Sequence, residues 1–144
     1  MASKVRQPQQ AGRLAIIAGR GRLPLDIAFA AREAGEDPFL IPLLGEAGDI
    51  PSEFEQQAMS VADGKQLVSI IKSKGIDRLI MSGGINRRPE VSEVRLPLRL
   101  LWTSARIGKA LIGAGDDKLL RVVISMIETA GCRVIGAQEV VPDL

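Results

Sequence analysis

Leu14-Ala15-Ile16-Ile17-Ala18-Gly19 is the stretch that decides the fold class of this chain. Five consecutive apolar residues closed by glycine suit a strand buried on both faces, because a strand with one wet face would alternate apolar and polar positions. Immediately outward, Gly19-Arg20-Gly21-Arg22-Leu23 turns the chain, and Pro24 suits the first turn of a helix, where a missing N–H costs nothing. Leu25, Ala28, Phe29 and Arg32 then recur at helical spacing until Gly35 stops the helix. Residues 39–44 read as a second strand, kept short by Pro38 and Pro42, and 45–51 as loop. Residues 57–61 read as a further strand on a sheet edge. Asp63 can cap the next helix, with Leu67, Ile70, Ile71 and Lys74 at a 3–4 spacing up to Gly75. Residues 78–82 form another apolar run closed by Gly83-Gly84, and 85–90 read as a polar loop.

Two helices and a strand complete the pattern. Residues 97–112 carry Leu98, Leu101, Ala105 and Gly108 on one stripe. Residues 115–130 place Asp116 and Asp117 in a first turn, which complements the helix dipole, and Leu120, Val123, Ile124 and Ile127 on a buried stripe ending at Gly131. Residues 132–137 read as the last strand. Strands alternating with helices predict βαβ units, hence an α/β domain with a mainly parallel sheet and helices on both faces. Residues 1–12, Gln-rich and polar, read as a disordered leader preceding one domain over 13–144.

Composition narrows the function classes. The chain has 144 residues, 46% hydrophobic and 25% charged, enough for one self-sufficient core. Nineteen basic residues against 17 acidic give +2, too mild a charge for a nucleic-acid binder, and no Tyr with 3% aromatics disfavours base stacking. The absence of His excludes a Ser-His-Asp triad, a Cys-His pair and a histidine metal site. One cysteine, Cys132, forms no internal disulfide and reads as inert core. No apolar run is long enough to span a membrane and no apolar signal core precedes residue 13, so a cytoplasmic location is the expectation.

In a parallel sheet, ligands bind beyond the carboxyl ends of the strands, where two glycine-containing loops fall, 19–24 and 83–89. Gly19 and Gly21 with Leu23-Pro24 allow either close approach of an anion to backbone N–H groups or a plain tight turn. This loop is not the dinucleotide fingerprint, since Pro24 occupies the third glycine position, and it is not a Walker A loop. Asn86, Arg87 and Arg88 beside Gly83 and Gly84 suit phosphate, as the guanidinium fork bonds two oxygens; Arg95, Arg99 and Arg106 equally suit a solvated helix face. Asp116 and Asp117 either serve a magnesium ion through waters or are simply helix-start acids. Glu139, after Gln138, either orients a sugar hydroxyl or a metal-bound water, or is solvated. Trp102 among Leu96, Leu98, Leu100 and Leu101 reads as packing, in the core or against another domain.

These residues resemble one family. Leu14-Ala15-Ile16-Ile17-Ala18-Gly19 with Gly21 and Leu23-Pro24, then Ser82-Gly83-Gly84-Ile85-Asn86 with Arg88-Pro89, then Gly115-Asp116-Asp117-Lys118-Leu119-Leu120-Arg121, then Gly136-Ala137-Gln138-Glu139-Val140, are similar in kind and order to the N-terminal domain of the two-domain UDP-2,3-diacylglucosamine pyrophosphatases of lipid A biosynthesis. The resemblance implies a Rossmann-like three-layer domain that closes over substrate with a C-terminal catalytic domain. It also implies magnesium-dependent hydrolysis of UDP-2,3-diacylglucosamine to 2,3-diacylglucosamine 1-phosphate and UMP, at the cytoplasmic face of the inner membrane of Gram-negative bacteria. The family's essential aspartate belongs to the C-terminal domain, so a chain ending at Leu144 is expected to bind and not to turn over. Substrate contact is carried over to Gly19, Arg20, Gly21, Leu23, Pro24, Gly83, Gly84, Asn86 and Arg88, and more weakly to Asp116 and Glu139; metal ligands are not assigned. Arg20 stands where the family often has a third consecutive glycine, and Gln138 where it often has histidine.

Two competing readings are a stand-alone nucleotide-binding module, against which the failed fingerprint counts, and a ligand-free interaction domain docking through 96–102. A face of that kind left uncovered would expose apolar surface and favour a homo-oligomer.

Overall fold

A computed structural model describes residues 12–85 and 118–142. Residues 1–11 of the leader, the loop beyond Ile85, the helix expected over 97–112, the start of the helix expected at 115 and the last two residues lie outside the described residues.

The apolar run forms the centre of the sheet. β1 (Arg13–Ala18) pairs in parallel with β2 (Phe39–Pro42) on one side and β3 (Ile76–Ser82) on the other; β3 in turn pairs with the short β4 (Arg133–Val134), giving the order β2-β1-β3-β4. Every described pairing is parallel, as the continuous burial of Leu14 to Ala18 requires. The chain runs from β1 outward to β2, then crosses back to β3 on the other side of β1. The strand order therefore reverses between β1 and β3.

Strand parity builds the two cores. Ala15 and Ile17 join Phe39, Ile41 and Leu79 on one face, covered by Leu67, Val68, Ile70 and Ile71 of α2 (Gly64–Ser73) and by Met126 and Ile127 of α3 (Lys118–Thr129). Leu14 and Ile16 join Leu40 and Ile80 on the other, covered by Ile27, Ala28 and Ala31 of α1 (Leu23–Glu33) and by Phe54. Three layers result: α2 and α3, the sheet, and α1.

Local chemistry sets the helix ends. Pro24 sits in the first turn of α1, and Gly35 at φ +95° turns the chain out of it. The Asp63 carboxylate accepts from Gln66 N at 3.1 Å and starts α2. Arg32, on the apolar spacing of α1, lies with its guanidinium 4.4 Å from the Phe54 ring centre and 5.3 Å from that of Phe29. The two rings meet edge to face at 5.0 Å, so the arginine roofs an aromatic pair instead of entering the core.

Three expectations need correction. Residues 57–61 do not form a strand: the segment meets β2 only through isolated parallel bridges, Leu40 with Gln56 and Leu43 with Met59. Leu40 N donates to Glu55 O, Gln57 N to Leu40 O, Met59 N to Pro42 O and Leu44 N to Met59 O. The rung missing from that alternation is the one Pro42 would donate, and Pro42 has no N–H. The last strand is shorter than 132–137. It pairs over Arg133–Val134, continues through one bond from Ile135 N to Leu79 O, and then winds into a short 3-10 turn at Ala137–Glu139, where Ala137 and Val140 pack onto the α1-side core. The stripe of α3 is rotated from that expected. Val122, Met126 and Ile127 are buried and Val123 packs against the core, whereas Leu120, at the described start of the helix, is exposed.

Opposite the strand carboxyl ends, Arg78 of β3 organises an ion-pair network. Its guanidinium bonds both oxygens of Glu36 at 2.9 and 3.0 Å, Asp77 Oδ1 at 3.0 Å and the Gly12 carbonyl at 3.0 Å. Hydrogen bonding to Glu36, ahead of the opposing effect of burial, holds this guanidinium more firmly protonated than usual.

Cys132 is buried at the end of α3, and desolvation pushes its thiol up to about 11. The core reading of this residue therefore stands. We expect labelling of Cys132 by a disulfide reagent at pH 7–8 to proceed no faster than unfolding, and a fast phase in the native protein would contradict it.

Candidate functional site

The two glycine loops meet where the strand order reverses. Ala18 and Ser82, the last residues of β1 and β3, are paired, and beyond them the parallel ladder gives way to an antiparallel clasp between the loops. Gly19 N donates to Ser82 O at 2.8 Å, Arg20 N to Gly84 O at 2.7 Å and Gly84 N to Arg20 O at 3.1 Å.

The glycines divide into two kinds. A Cβ on Gly19 would collide with the Gly84 carbonyl, and one on Gly83 would lie 2.7 Å from Gly19 C and 2.8 Å from Arg20 O. These two residues are glycine because the loops touch each other. Among the described residues nothing lies within 4 Å of a Cβ on Gly21, at φ +98°, and the nearest atom to a Cβ on Gly84 is Arg20 Cβ at 4.0 Å. Backbone approach by a ligand is thus available at Gly21 and Gly84, whereas Gly19 and Gly83 build the wall.

Behind Gly21, α1 begins at Arg22 with no side-chain cap. The Arg22 side chain turns to Asp26 at 3.2 Å, Pro24 is buried, and Leu23 is 53% exposed beside the opening. An uncapped helix start next to an open glycine presents positive dipole to whatever occupies the crevice.

The Arg20 side chain pairs within the protein. Its Nε bonds Glu46 at 2.7 Å and its Nη2 bonds the Gly45 carbonyl at 3.2 Å, both in the loop after β2. Its backbone holds β3's loop and its side chain holds β2's, so one residue ties three loops together at the carboxyl edge of the sheet. Glu139 follows β4 at the same edge, one strand beyond β3. Its carboxylate accepts from Gly136 N at 3.2 Å, which orders the 3-10 turn.

The structure thus brings together Gly19, Arg20, Gly21, Leu23, Pro24, Gly83 and Gly84, and places Glu139 one strand away. Asn86, Arg88 and Asp116 lie outside the described residues. Ser82, read in the sequence only as the head of a motif and assigned no role, has an Oγ that is buried with no hydrogen-bond partner among the described residues. Its signal in the sequence is a hydroxyl ending the apolar run Leu79-Ile80-Met81 just before the glycines. Among the described residues no three acidic or thiol side chains gather to hold a cation. No helix among them is long and apolar enough to cross a membrane.

The fold defines a Rossmann-like α/β domain whose two glycine loops meet at its topological switch point, the place where sheets of this kind bind ligands. Residues 13–144 match the family model described as the LpxI N-terminal domain, and the chain belongs to that family. A curated relative, UDP-2,3-diacylglucosamine pyrophosphatase LpxI of Caulobacter vibrioides, is 27% identical over 135 residues; the match takes in 92% of this chain and 46% of the relative. The chain therefore spans about half the length of the curated relative it matches. Among solved structures, a protein described as an NAD-dependent epimerase/dehydratase of Methylobacillus flagellatus aligns with a TM-score of 0.48 and 15% identity, over 87% of this chain and 36% of that one. A GalE-like L-threonine dehydrogenase of Cupriavidus necator aligns with a TM-score of 0.48 and 14% identity, over 85% and 36%. Likenesses this distant carry no argument about ligand or reaction.

Proposed function

We propose that this chain is the substrate-binding N-terminal domain of a UDP-2,3-diacylglucosamine pyrophosphatase, holding the nucleotide-pyrophosphate part of the substrate at the β1–β3 switch point. The observation that carries this reading is the clasp of the two glycine loops, which leaves Gly21 open in front of the uncapped start of α1. Membership of the LpxI N-terminal family supplies the substrate class.

In that reaction water adds across the pyrophosphate. Its oxygen bonds to phosphorus, the bridging P–O bond breaks, and UMP and 2,3-diacylglucosamine 1-phosphate leave. The contribution of this chain is to fix the anion. Backbone N–H groups and the α1 dipole face the developing negative charge and need no reorganisation as it forms. Asn86 and Arg88, two and four residues beyond Gly84, add side-chain contacts in this reading, and Glu139 faces the sugar from the neighbouring strand. In this reading the groups that activate the attacking water, and any that would hold a magnesium ion, lie in a C-terminal catalytic domain of the kind the family resemblance implies. The setting is the cytoplasm, with the lipid presented at the inner-membrane surface.

Calorimetric titration of the chain with UDP, UMP and NAD tests this. Saturable binding of UDP and UMP, no binding of NAD, and no release of UMP from UDP-2,3-diacylglucosamine by this chain alone are expected. Binding of NAD alone would replace the reading with a dinucleotide-binding module. Turnover by the chain alone would show that the catalytic groups lie within it.

A further inference from the structure

The wall of the crevice contains one polar atom that the clasp leaves unexplained. Ser82 Oγ is sealed from solvent and has no hydrogen-bond partner, the one such side-chain atom among the described residues. Buried hydroxyls in native proteins are almost always paired, because an unmade hydrogen bond leaves the full desolvation cost uncompensated. Such an orphan needs a reason.

Its position supplies one. Ser82 closes β3 and pairs with Ala18, and its carbonyl accepts from Gly19 N. Leu79 and Met81 pack on the α2 face of the sheet and Ile80 on the α1 face. Strand alternation therefore turns Ser82 to the α1 face, at the edge where α1 begins. The orphan hydroxyl, the open Gly21 and the uncapped helix start thus share one face of one switch point. The residue as a whole retains some exposure, and a serine hydroxyl has a single torsion with three staggered positions, so one χ1 step re-aims it.

We infer that Ser82 is a ligand-contacting residue, whose hydroxyl donates to a phosphate oxygen of a nucleotide diphosphate seated at the switch point. The inference rests on the reading of this crevice as the substrate site and adds to it a specific donor. A hydroxyl is suited to the task because it adds no charge to a site whose positive potential already comes from the helix start.

The test is titration of the 144-residue chain and its Ser82→Ala and Ser82→Cys variants with UDP, alongside their thermal midpoints without ligand. Loss of a hydrogen bond to a charged acceptor should weaken UDP binding about tenfold or more in Ser82→Ala, and less in Ser82→Cys, which keeps a weak donor. The unliganded Ser82→Ala protein should melt at or above the wild-type temperature, because an unsatisfied buried group has been removed. A hydroxyl with a structural role predicts the opposite pattern. A lowered midpoint with UDP affinity unchanged would assign Ser82 to internal structure and overturn the inference, as would affinity within twofold of wild type at any midpoint. Should Ser82→Ala fail to fold, Ser82→Cys decides on the same affinity criterion. Wild-type protein that binds no UDP would overturn the crevice reading and this inference together, whereas wild-type binding left unchanged by both variants would overturn this inference alone.

Discussion

Gly83→Ala should destabilise the protein by about 4 kcal/mol and abolish nucleotide binding at the switch point. Two costs combine. An L-residue held at φ +92° is strained by roughly 1–3 kcal/mol. The new methyl would also sit 2.7 to 2.9 Å from backbone atoms of Gly19 and Arg20, and overpacking against atoms that cannot swing aside costs roughly 1–3 kcal/mol more. For a chain of this size the combined loss would appear as a fall of roughly 12 °C in thermal midpoint. The clasp must open to admit the methyl, which breaks the Arg20–Gly84 pair of bonds and moves Gly21 away from β3. Gly84→Ala is the matched control. Among the described residues its added methyl would meet nothing nearer than Arg20 Cβ at 4.0 Å, so its midpoint should stay within about 2 °C of wild type, on the usual scale of a mild substitution. Equal midpoints for the two variants, measured by calorimetry or circular dichroism, would show that the loops do not touch as described.

Arg78→Met should cost roughly 1–3 kcal/mol with no direct effect on the glycine loops, because it removes charge-assisted hydrogen bonds from a half-buried ion pair. Arg78 is 14% exposed and its Glu36 partner 11%, so the carboxylate left behind has little water to turn to. The Gly12 carbonyl at the start of β1 loses its donor at the same time. The comparison with Glu36→Leu and with the double variant is decisive. Two hydrophobic replacements of similar size leave no orphan charge, so the double variant should be more stable than Arg78→Met alone. Urea titrations of the four proteins measure this. Additive losses would mean that the two residues are not energetically coupled. Binding of UDP by Arg78→Met at temperatures where it is folded should match wild type, since the network lies at the end of the sheet opposite the glycine loops.

The contrast between these two glycine and ion-pair sites shows where the sequence is informative. The identity of the central strand could be read directly, because burial on both faces leaves an unbroken apolar run and no other element of that length tolerates it. The start of α2 at Asp63 and the first turn of α1 at Pro24 could be read too, since capping and proline geometry are local. Pro42 warned of an interrupted β2, and the interruption instead falls on its neighbour: the rung it cannot donate is the one that would have made 57–61 a strand. The stripe of α3 was misplaced because apolar spacing defines a face only to within about one residue, and the packing against α2 and Cys132 selected the actual one.

The sequence by itself determined an α/β parallel domain, through its periodicity, and the family, through short motifs in order; it also marked the two glycine loops at the carboxyl edge of the sheet. Only the tertiary structure decided what each loop residue is for. Gly19 and Gly83 are 64 positions apart and are glycine on account of each other. Arg20 holds Glu46 across the edge of the sheet, and the Ser82 hydroxyl is buried with no partner among the described residues. Such roles arise from contacts between segments distant along the chain, and no local pattern records a contact that forms only when the strand order reverses between β1 and β3.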